Sequence, residues 1–546
     1  MGSTRSIAVL TVLNTIAALV GLFTSIVTAY FFGTSRPLEI FFAASTLYVL
    51  VISLTQTGQI SDIFLPMYIR IRQAQGLQAA QAAFSVLLNW MTLLVLAISA
   101  LLWVLAPWLI QLLVPGFTPA NHATGAVMFR VMVPVLTFYV IVSMISSLAN
   151  AERWFGMPEA IGVFSQVVSV ACILFLAPRL GIWAMVISFW IPSVTSFLGM
   201  VVVLRRLKFR HVFRLHQPGF SPWLVFSQMA YTLVYAGSVQ LYAFVFNAAI
   251  SLLPAQGTYA VFKYVQQLYA KTSVVFVRPI SVVFFTHFSE MLAKGARDVR
   301  DLAHAALNRM LAVGMVVVVA IFVSAHPLLG ALWGPDRFGE EQLDLAAVIM
   351  SCYYFLLFVT GLGLIERKMN LSLGMVGSQY LSASGAMVVA AGVAWLLIHW
   401  AGTNGAIGAV VAGEILTAAV AGAIPLLLWR RDMLVFFNLK RVLQWALAGS
   451  LAVLAGKGLA MLVPWATFWS PMARLAARVL GHPMTDGGAI ARVGLLLYAT
   501  MLAGTAVVLL VAVGQLVRIP EVRQGMTRLR KMLGLDRKAP CDTGAV

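Results

Sequence analysis

The chain has 546 residues, of which 61% are hydrophobic and only 10% charged, and its mean hydropathy is +0.93. Water-soluble globular domains do not reach this apolar content, so the composition predicts a polytopic membrane protein. The formal net charge is +19. In such a chain, basic residues reflect membrane topology and anionic lipid headgroups. There is no basic domain large enough to dock a duplex, which argues against nucleic acid as a partner.

The three cysteines do not form a disulfide framework. Cys172 and Cys352 fall inside apolar runs, and Cys541 lies in the C-terminal tail. The sequence therefore predicts no redox site.

Crossing a hydrocarbon layer of ~30 Å takes about 20 apolar residues. Fourteen runs of the chain meet this requirement. The predicted spans are residues 7–32, 38–60, 83–106, 126–149, 159–177, 181–204, 222–252, 257–286, 309–330, 343–365, 371–400, 404–429, 439–463 and 492–517. The first run is too long for the apolar part of a signal peptide and lacks a cleavage site, so it is interpreted as a retained helix.

The distribution of Lys and Arg predicts the orientation of these spans. Of the 37 basic residues, 26 fall on the side that holds the N-terminus, six on the opposite side and five within spans. Because cytoplasmic loops carry the excess of Lys and Arg, both termini are predicted to be cytoplasmic.

The spans are arranged in two similar halves. Six spans fill residues 1–204, a basic cytoplasmic linker covers 205–221, and six more spans fill 222–431. Two matched halves of this kind are typical of duplicated transporters, whose substrate site lies between the halves near the midplane. Spans 13 and 14, within 432–518, form an appendage, and a cytoplasmic tail covers 519–546. The predicted fold class is an all-α integral membrane protein with about 14 transmembrane helices.

A search for catalytic and cofactor motifs finds no phosphate-binding loop, no dinucleotide fingerprint, no HExxH and no Cys/His cluster at metal spacing. The sequence therefore predicts a transporter and not an enzyme, with no catalytic residues, no cofactor and no metal. The energy for transport would come from an ion gradient, the membrane potential or the gradient of the substrate.

Span 8 carries the densest set of intramembrane polar residues, which are costly and therefore functional candidates. Lys263, Gln267, Lys271 and Arg278 fall on one narrow helical face. One interpretation is a cavity wall that attracts an anionic phosphate or pyrophosphate headgroup. The other is that Lys263 and Arg278 extend to opposite membrane surfaces, which leaves only Lys271 central.

Two further spans contain polar candidates. On span 1, Asn14 and Ser25 share a face with Gly21 and Thr28, which favours either a hydrated cleft or close helix packing. On span 12, Glu414 is a candidate for coupling to a cation or proton, or for a structural ion pair with Lys457 of span 13.

The tail combines apolar and basic residues in a pattern typical of a helix that lies on a membrane surface. Met526 and Leu529 alternate there with Arg523, Arg528 and Lys531. Anionic membrane lipids are therefore predicted partners.

Several segments of the N-terminal half resemble the MurJ/MviN family of lipid II flippases, within the multidrug/oligosaccharidyl-lipid/polysaccharide exporter superfamily. The similar segments are AYFFGTS from Ala29, EIFFAA from Glu39, GQISDIFLP from Gly58, VPGF from Val114, MVPVLTFY from Met132 and NAERWFGMPEA from Asn150. The order and spacing of the first twelve spans, and the two extra helices after them, also fit the family.

The resemblance implies a V-shaped bundle of two six-helix lobes, with a central cavity and a groove at spans 13 and 14 for a polyprenyl tail. The implied substrate is a polyprenyl-pyrophosphate-linked saccharide. It further implies the bacterial inner membrane, a monomer, and cell-envelope glycan synthesis proteins as partners.

The chain also departs from the family pattern at positions that would line the cavity. Family arginines are replaced by Ala18 and Thr24 on span 1 and by Ile52 and Ser53 on span 2. On span 8 an Asp-Arg pair is replaced by Gln266 and Gln267, and the acidic residue before Gly58 is replaced by Thr57. Glu39 keeps the acidic position before the paired phenylalanines. The resemblance thus adds Glu39, Thr24 and Ser53 to the substrate-contact candidates, while the glycan could be lipid II or another unit.

Three hypotheses follow for the function. The first is a flippase for a polyprenyl-pyrophosphate-linked saccharide that works by alternating access. The second is a cation-coupled exporter of small amphiphiles on the same fold. The third is a membrane-embedded glycan ligase, for which a large outer loop rich in carboxylates or histidines would be expected.

Overall fold

The computed structural model of the chain describes most of its residues. The described residues are 3–55, 57–152, 154, 156–218, 223, 230–270, 272, 284, 288, 291, 300–334, 338–431, 438–465, 467–470 and 489–532. Within them, the secondary-structure elements are helices.

The first nine helices belong to the N-terminal part of the chain. They are α1 (Ser3–Phe32), α2 (Arg36–Thr55), α3 (Thr57–Leu113), α4 (Pro119–Met132), α5 (Val135–Ala151), α6 (Gly156–Leu180), α7 (Trp183–Arg206), α8 (Ala230–Ser251) and α9 (258–270). The later helices are α10 (Arg300–Trp333), α11 (Glu340–Phe355), α12 (Leu357–Ser372), α13 (Val376–Glu414), a π-helical turn (Ile415–Val420), α14 (Ala421–Trp429), α15 (Leu439–Leu462), α16 (Ala489–Leu516) and α17 (Pro520–Met532).

The prediction of an all-α membrane protein is confirmed. Twelve helices within the described residues are long and apolar enough to cross a membrane. There are two fewer of these helices than the fourteen predicted spans, for two reasons. The run Val376–Trp429 contains two predicted spans in one continuous helical segment, and the continuous described part of the predicted span 257–286 ends at residue 270, which is too short to cross a membrane.

Two glycines with positive φ divide long helices at predicted connections. Gly402 has φ 56° and ψ −129° inside α13, between the predicted spans 371–400 and 404–429. Gly76 has φ 87° inside α3, just before the predicted span 83–106. Glycine lacks a Cβ and adopts this backbone conformation without strain, so each residue turns the chain where a loop was expected.

Large apolar side chains are exposed on the outside of the helices. Trp400 is 85% exposed, and Met461 and Leu516 are each 81% exposed. Soluble monomers rarely carry broad apolar surfaces, whereas lipid tails solvate such side chains. The exposed residues therefore agree with a multi-pass membrane protein.

The chain forms two compact units. Unit 1 contains Met1–Thr272, Trp333–Ala346 and Met375–Ala421, and unit 2 contains Ser273–Leu332, Ala347–Gly374 and Gly422–Val546. These units cut across the predicted segment 222–431, so the division into two six-helix lobes with an appendage stays a prediction.

Each unit has its own core. In unit 1, α6 packs against α1 and α7, and α3 packs against α5. In unit 2, α15 packs against α16, and their buried residues Trp445, Ala452, Tyr498 and Leu502 form a core with Leu311 of α10.

The predicted tail helix is present as α17, Pro520–Met532. Near its start, Glu521 lies 3.9 Å from the guanidinium of Arg441, at the beginning of α15. The position of α17 on a lipid surface stays a prediction.

The first part of the predicted basic linker is bound to α3 as an extended strap, residues 209–216. The side-chain amide of Asn89 donates to the carbonyls of Val212 (3.1 Å) and Arg214 (2.9 Å). The indole of Trp90 donates to the carbonyl of Leu215 at 2.9 Å. Polar side chains of a membrane helix thus satisfy the backbone of a segment that has no regular partner strand.

Replacing Asn89 with alanine is expected to release the strap. The change removes two hydrogen bonds, each of which stabilises the docked strap by about 1 kcal/mol. Tryptic cleavage after Arg210 and Arg214 should therefore accelerate by at least about tenfold in limited proteolysis. Thr92→Ala is the matched control, because the Thr92 hydroxyl bonds to the carbonyl of Leu88 in its own helix. Equal cleavage rates in both variants would contradict the role of Asn89.

Candidate functional site

Unit 1 contains a cavity of about 450 Å³ among its membrane helices. Its lining comes from α1, α2, α5, α6, α7 and α9. The polar lining residues are Thr24, Ser25, Thr28, Ser45, Tyr48, Tyr139, Ser169, Ser188, Ser193, Tyr264 and Gln267. The lining includes none of the charged residues that the structure describes, so hydroxyl groups dominate its polar surface.

Aromatic rings form the other part of the lining. Phe189 of α7 makes edge-to-face contacts with Phe41 and Tyr48 of α2, with ring centroids 5.9 Å and 5.2 Å apart. Phe42 contacts Tyr264 of α9 in the same manner at 5.3 Å. These contacts hold α2 between α7 and α9 and fix the orientation of the rings that face the cavity.

Three of the predicted site residues line this cavity: Thr24, Ser25 and Gln267. Ser53 lies one residue beyond the lining residue Ile52, and its hydroxyl donates to the carbonyl of Val49 at 3.0 Å. Asn14 lies in α1, but its side chain is outside the described part of the structure.

The predicted cationic face of span 8 is described only in part. Lys271 and Arg278 lie outside the described residues. Lys263 is half-buried in α9 and does not line the cavity, and its ammonium lies 5.5 Å from the ring centroid of Tyr259. Lys263 lies one turn before Gln267 on the same helix, and it contacts the aromatic face of Tyr259.

Glu39 is buried at the start of α2 and connects two distant segments. Its carboxylate lies 2.7 Å from the guanidinium of Arg36 and accepts a 3.1 Å hydrogen bond from the backbone N–H of Gly257. The guanidinium of Arg36 in turn lies 3.9 Å from the ring centroid of Phe117. This geometry gives Glu39 a structural role in joining the loop before α9 to α2.

Glu414, the predicted coupling residue, is half-buried at the end of α13. The π-helical turn Ile415–Val420 follows it directly. Such turns are rare and occur frequently at functional sites. Tyr242 of α8 packs against the neighbouring Gly413. Lys457, its alternative partner, is an exposed residue of unit 2, whereas Glu414 belongs to unit 1.

Unit 2 contains an apolar groove of about 600 Å³. It is lined by residues of α10, α11, α12 and α15, among them Leu311, Phe322, Phe355, Phe358 and Leu454. The resemblance implied a groove at spans 13 and 14. The described groove uses span 13 (α15), together with α10 and the junction of α11 and α12.

Several site features were not found by sequence reasoning. Ser188 and Ser193 of α7, together with Tyr139 of α5, are cavity residues without a charge to single them out. Glu366 is a buried carboxylate of unit 2 whose Oε2 has no hydrogen-bond partner among the described residues. Glu366 lies between the predicted spans 343–365 and 371–400, and its neighbours Arg367 and Lys368 led to the prediction of a cytoplasmic loop there. The position of a Glu directly after an apolar run could have indicated it.

A hydroxyl-lined cavity within membrane helices, an apolar groove and an exposed apolar exterior together define a polytopic helical membrane transporter. Comparisons with known proteins specify the family. A sequence model of the family described as "Lipid II flippase MurJ" matches residues 28–476. The chain therefore belongs to the lipid II flippase MurJ family, whose members are transporters and not enzymes.

Individual relatives are distant in sequence. The lipid II flippase MurJ of Burkholderia cenocepacia is 23% identical over 352 residues, which cover 61% of this chain and 65% of that relative. The chain thus matches less than two thirds of that relative's length. The probable lipid II flippase MurJ of Rickettsia prowazekii is 20% identical over 359 residues, 64% of this chain and 69% of that relative.

Solved structures share the fold. A lipid II flippase MurJ in an inward closed conformation superposes with a TM-score of 0.70 at 16% identity, over 91% of this chain and 97% of the other. An inward-facing multidrug resistance MATE family transporter superposes with a TM-score of 0.61 at 14% identity, over 78% and 99%. The resemblance to the flippase family is confirmed.

Proposed function

We propose that this protein is a flippase that moves a polyprenyl-pyrophosphate-linked saccharide across the bacterial inner membrane by alternating access. The observation that carries the proposal is the polar cavity among the membrane helices of unit 1, in a chain of a lipid II flippase family. A hydrophilic headgroup needs such a site because each unsatisfied polar group in hydrocarbon costs several kcal/mol.

The apolar groove of unit 2 suits the other part of this substrate. A polyprenyl chain makes no hydrogen bonds and gains roughly 0.8 kcal/mol for each CH₂ group that it buries. The Leu, Val, Met and Phe side chains of the groove provide that environment. We assign the tail to this groove and the saccharide of the headgroup to the cavity, with Glu414 as the coupling residue and both chain termini cytoplasmic.

Depletion of the protein in its native host tests the proposal. A polyprenyl-pyrophosphate-linked glycan should accumulate on the cytoplasmic leaflet, where mass spectrometry of extracted lipids would identify it. If no polyprenyl-linked species accumulates while depletion impairs growth, the flippase proposal is wrong.

The competing proposal is a cation-coupled exporter of small amphiphiles, such as organic cations, which the likeness to a MATE transporter fold supports at the level of fold alone. Cells that lack the protein would then accumulate ethidium or tetraphenylphosphonium. The predicted cationic face of span 8 disfavours such cargo, because like charges repel within a low-dielectric site.

Lys271→Ala and Arg278→Ala are each expected to abolish transport while protein levels stay normal. This prediction rests on the sequence, in which both cations share the helical face of Gln267, a residue of the cavity lining. Complementation of the depleted strain, with membrane protein quantified by immunoblot, would measure both quantities. Lys440→Ala is the matched control, as an exposed lysine of unit 2. Full complementation by both variants would show that neither cation is needed for substrate transport.

A further inference from the structure

The cavity of unit 1 offers mainly hydrogen-bond acceptors to a ligand. Six of its hydroxyl groups donate their proton to backbone carbonyls of the surrounding helices. The bonds run from Thr24 to Val20 (2.8 Å), Thr28 to Thr24 (2.8 Å), Ser45 to Phe42 (3.1 Å), Ser169 to Ser188 (3.3 Å), Ser188 to Met185 (2.6 Å) and Ser193 to Phe189 (2.6 Å). A hydroxyl has one proton and two lone pairs, so what these groups present to the cavity is lone pairs.

Two further hydroxyl groups of the lining are buried without a hydrogen-bond partner among the described residues. Ser25 is 8% exposed and Tyr264 is 1% exposed, and neither Ser25 Oγ nor Tyr264 Oη has a hydrogen-bond partner in the part of the chain that the structure describes. A buried polar group left unpaired costs about 1–3 kcal/mol. These two groups are therefore set to bond to a ligand that both donates and accepts.

The described part of the lining does not suit an anion or a cation. A phosphate or carboxylate only accepts hydrogen bonds and needs several donors or a cation around it, whereas six cavity hydroxyls have already used their protons. An organic cation would contact the aromatic faces, but the described lining supplies no carboxylate to neutralise it. Glu39 does not line the cavity and is paired with Arg36.

We propose that the cavity binds the uncharged, hydroxyl-rich sugar part of the lipid-linked substrate, and that its pyrophosphate and any charged peptide bind elsewhere. This inference rests on the proposed flippase function. Sugar hydroxyl groups donate to the Ser and Thr lone pairs and exchange bonds with Ser25 and Tyr264. The apolar ring faces of the sugar pack against Tyr48 and Phe189, which edge-to-face contacts hold in place.

Binding of three synthetic lipids to the full chain in nanodiscs tests the inference. The probes are farnesyl pyrophosphate, farnesyl-pyrophosphoryl-N-acetylglucosamine, and farnesyl-pyrophosphoryl-N-acetylmuramoyl pentapeptide, whose headgroup carries carboxylates. The neutral glycan should bind about tenfold more tightly than farnesyl pyrophosphate, as two added hydrogen bonds permit. The pentapeptide probe should bind no more tightly than the neutral glycan, because the described cavity lining offers its carboxylates no cation.

Substitutions in the cavity test whether the tighter binding of the neutral glycan depends on the cavity. Ser25→Ala and Tyr264→Phe should each weaken glycan binding about fivefold and leave farnesyl pyrophosphate binding unchanged. The matched control is Ser324→Ala, a buried serine of unit 2 whose hydroxyl bonds to the carbonyl of Ala320 in its own helix. The comparison of probes on the unmodified chain stands even where a variant fails to fold.

The outcomes separate this inference from the proposed function. If none of the three lipids binds, the flippase proposal itself fails. If farnesyl pyrophosphate binds and the neutral sugar adds nothing, or if the pentapeptide probe binds most tightly, only the present inference is overturned. Displacement of the neutral glycan by tetraphenylphosphonium would likewise overturn it, because the cavity would then be a site for organic cations.

Discussion

Replacing Glu39 with alanine is expected to destabilise unit 1. Glu39 is 1% exposed, and its carboxylate pairs with Arg36 and accepts the backbone N–H of Gly257. Its removal leaves the buried N–H of Gly257 without its acceptor and the Arg36 side chain, which is 30% exposed, without its counter-charge, and an unpaired buried polar group costs about 1–3 kcal/mol. A domain has only about 5–15 kcal/mol of net stability. The yield of monodisperse protein after detergent extraction should fall sharply, and the remaining protein should melt at a lower temperature.

Two control variants separate structure from transport at this position. Glu39→Gln keeps an oxygen for the Gly257 N–H but loses the charge that faces Arg36, so an intermediate melting temperature is expected. Glu159→Ala removes an exposed carboxylate from the first turn of α6 and should change stability little. If Glu39→Ala instead folds with normal stability and fails only in transport, Glu39 contacts the substrate, as the resemblance implied.

The sequence could predict the local features of the fold, but not contacts between distant residues such as those of Glu39. Each span is a local property, since about 20 consecutive apolar residues suffice to predict a helix across the membrane. The break at Gly402 was predicted for the same reason. The bond from Gly257 to Glu39 joins residues 218 positions apart. No local pattern contains that pairing, so Glu39 was known only as a retained acidic residue.

The cavity shows the same limit. Ser25 was predicted because helical periodicity groups it with the other polar residues of α1, and Thr24 because the family resemblance singled out its position. Ser169, Ser188 and Tyr264 became visible only when their helices were packed together, because Ser and Tyr are common in apolar helices and carry no charge. The resemblance had already indicated that this chain lacks the cavity arginines of the family. The described lining around Thr24 is likewise uncharged, so a ligand there meets hydroxyl groups instead of guanidinium groups.

The second large effect is expected at Gly116, in the VPGF turn between α3 and α4. Its backbone N–H lies 3.3 Å from Ser251 Oγ, at the end of α8. A Cβ at residue 116 would overlap the carbonyl oxygen of Ser251 and lie 2.9 Å from the Cα of Leu252. These are backbone atoms, so no side-chain rotation relieves the overlap. Overpacking of this kind costs roughly 1–3 kcal/mol even where side chains can adjust, and here α8 would have to move away from the turn.

Gly116→Ala should therefore lower the melting temperature of the purified protein and reduce its yield. Gly237→Ala is the matched control, because nothing lies within 4 Å of a Cβ built at residue 237 and alanine favours the helix by up to ~1 kcal/mol. The control should melt at or above the wild-type temperature. A Gly116→Ala variant as stable as Gly237→Ala would show that the turn and α8 are not in close contact. The VPGF segment would then owe its place in the family to something other than this packing, such as the path of the substrate.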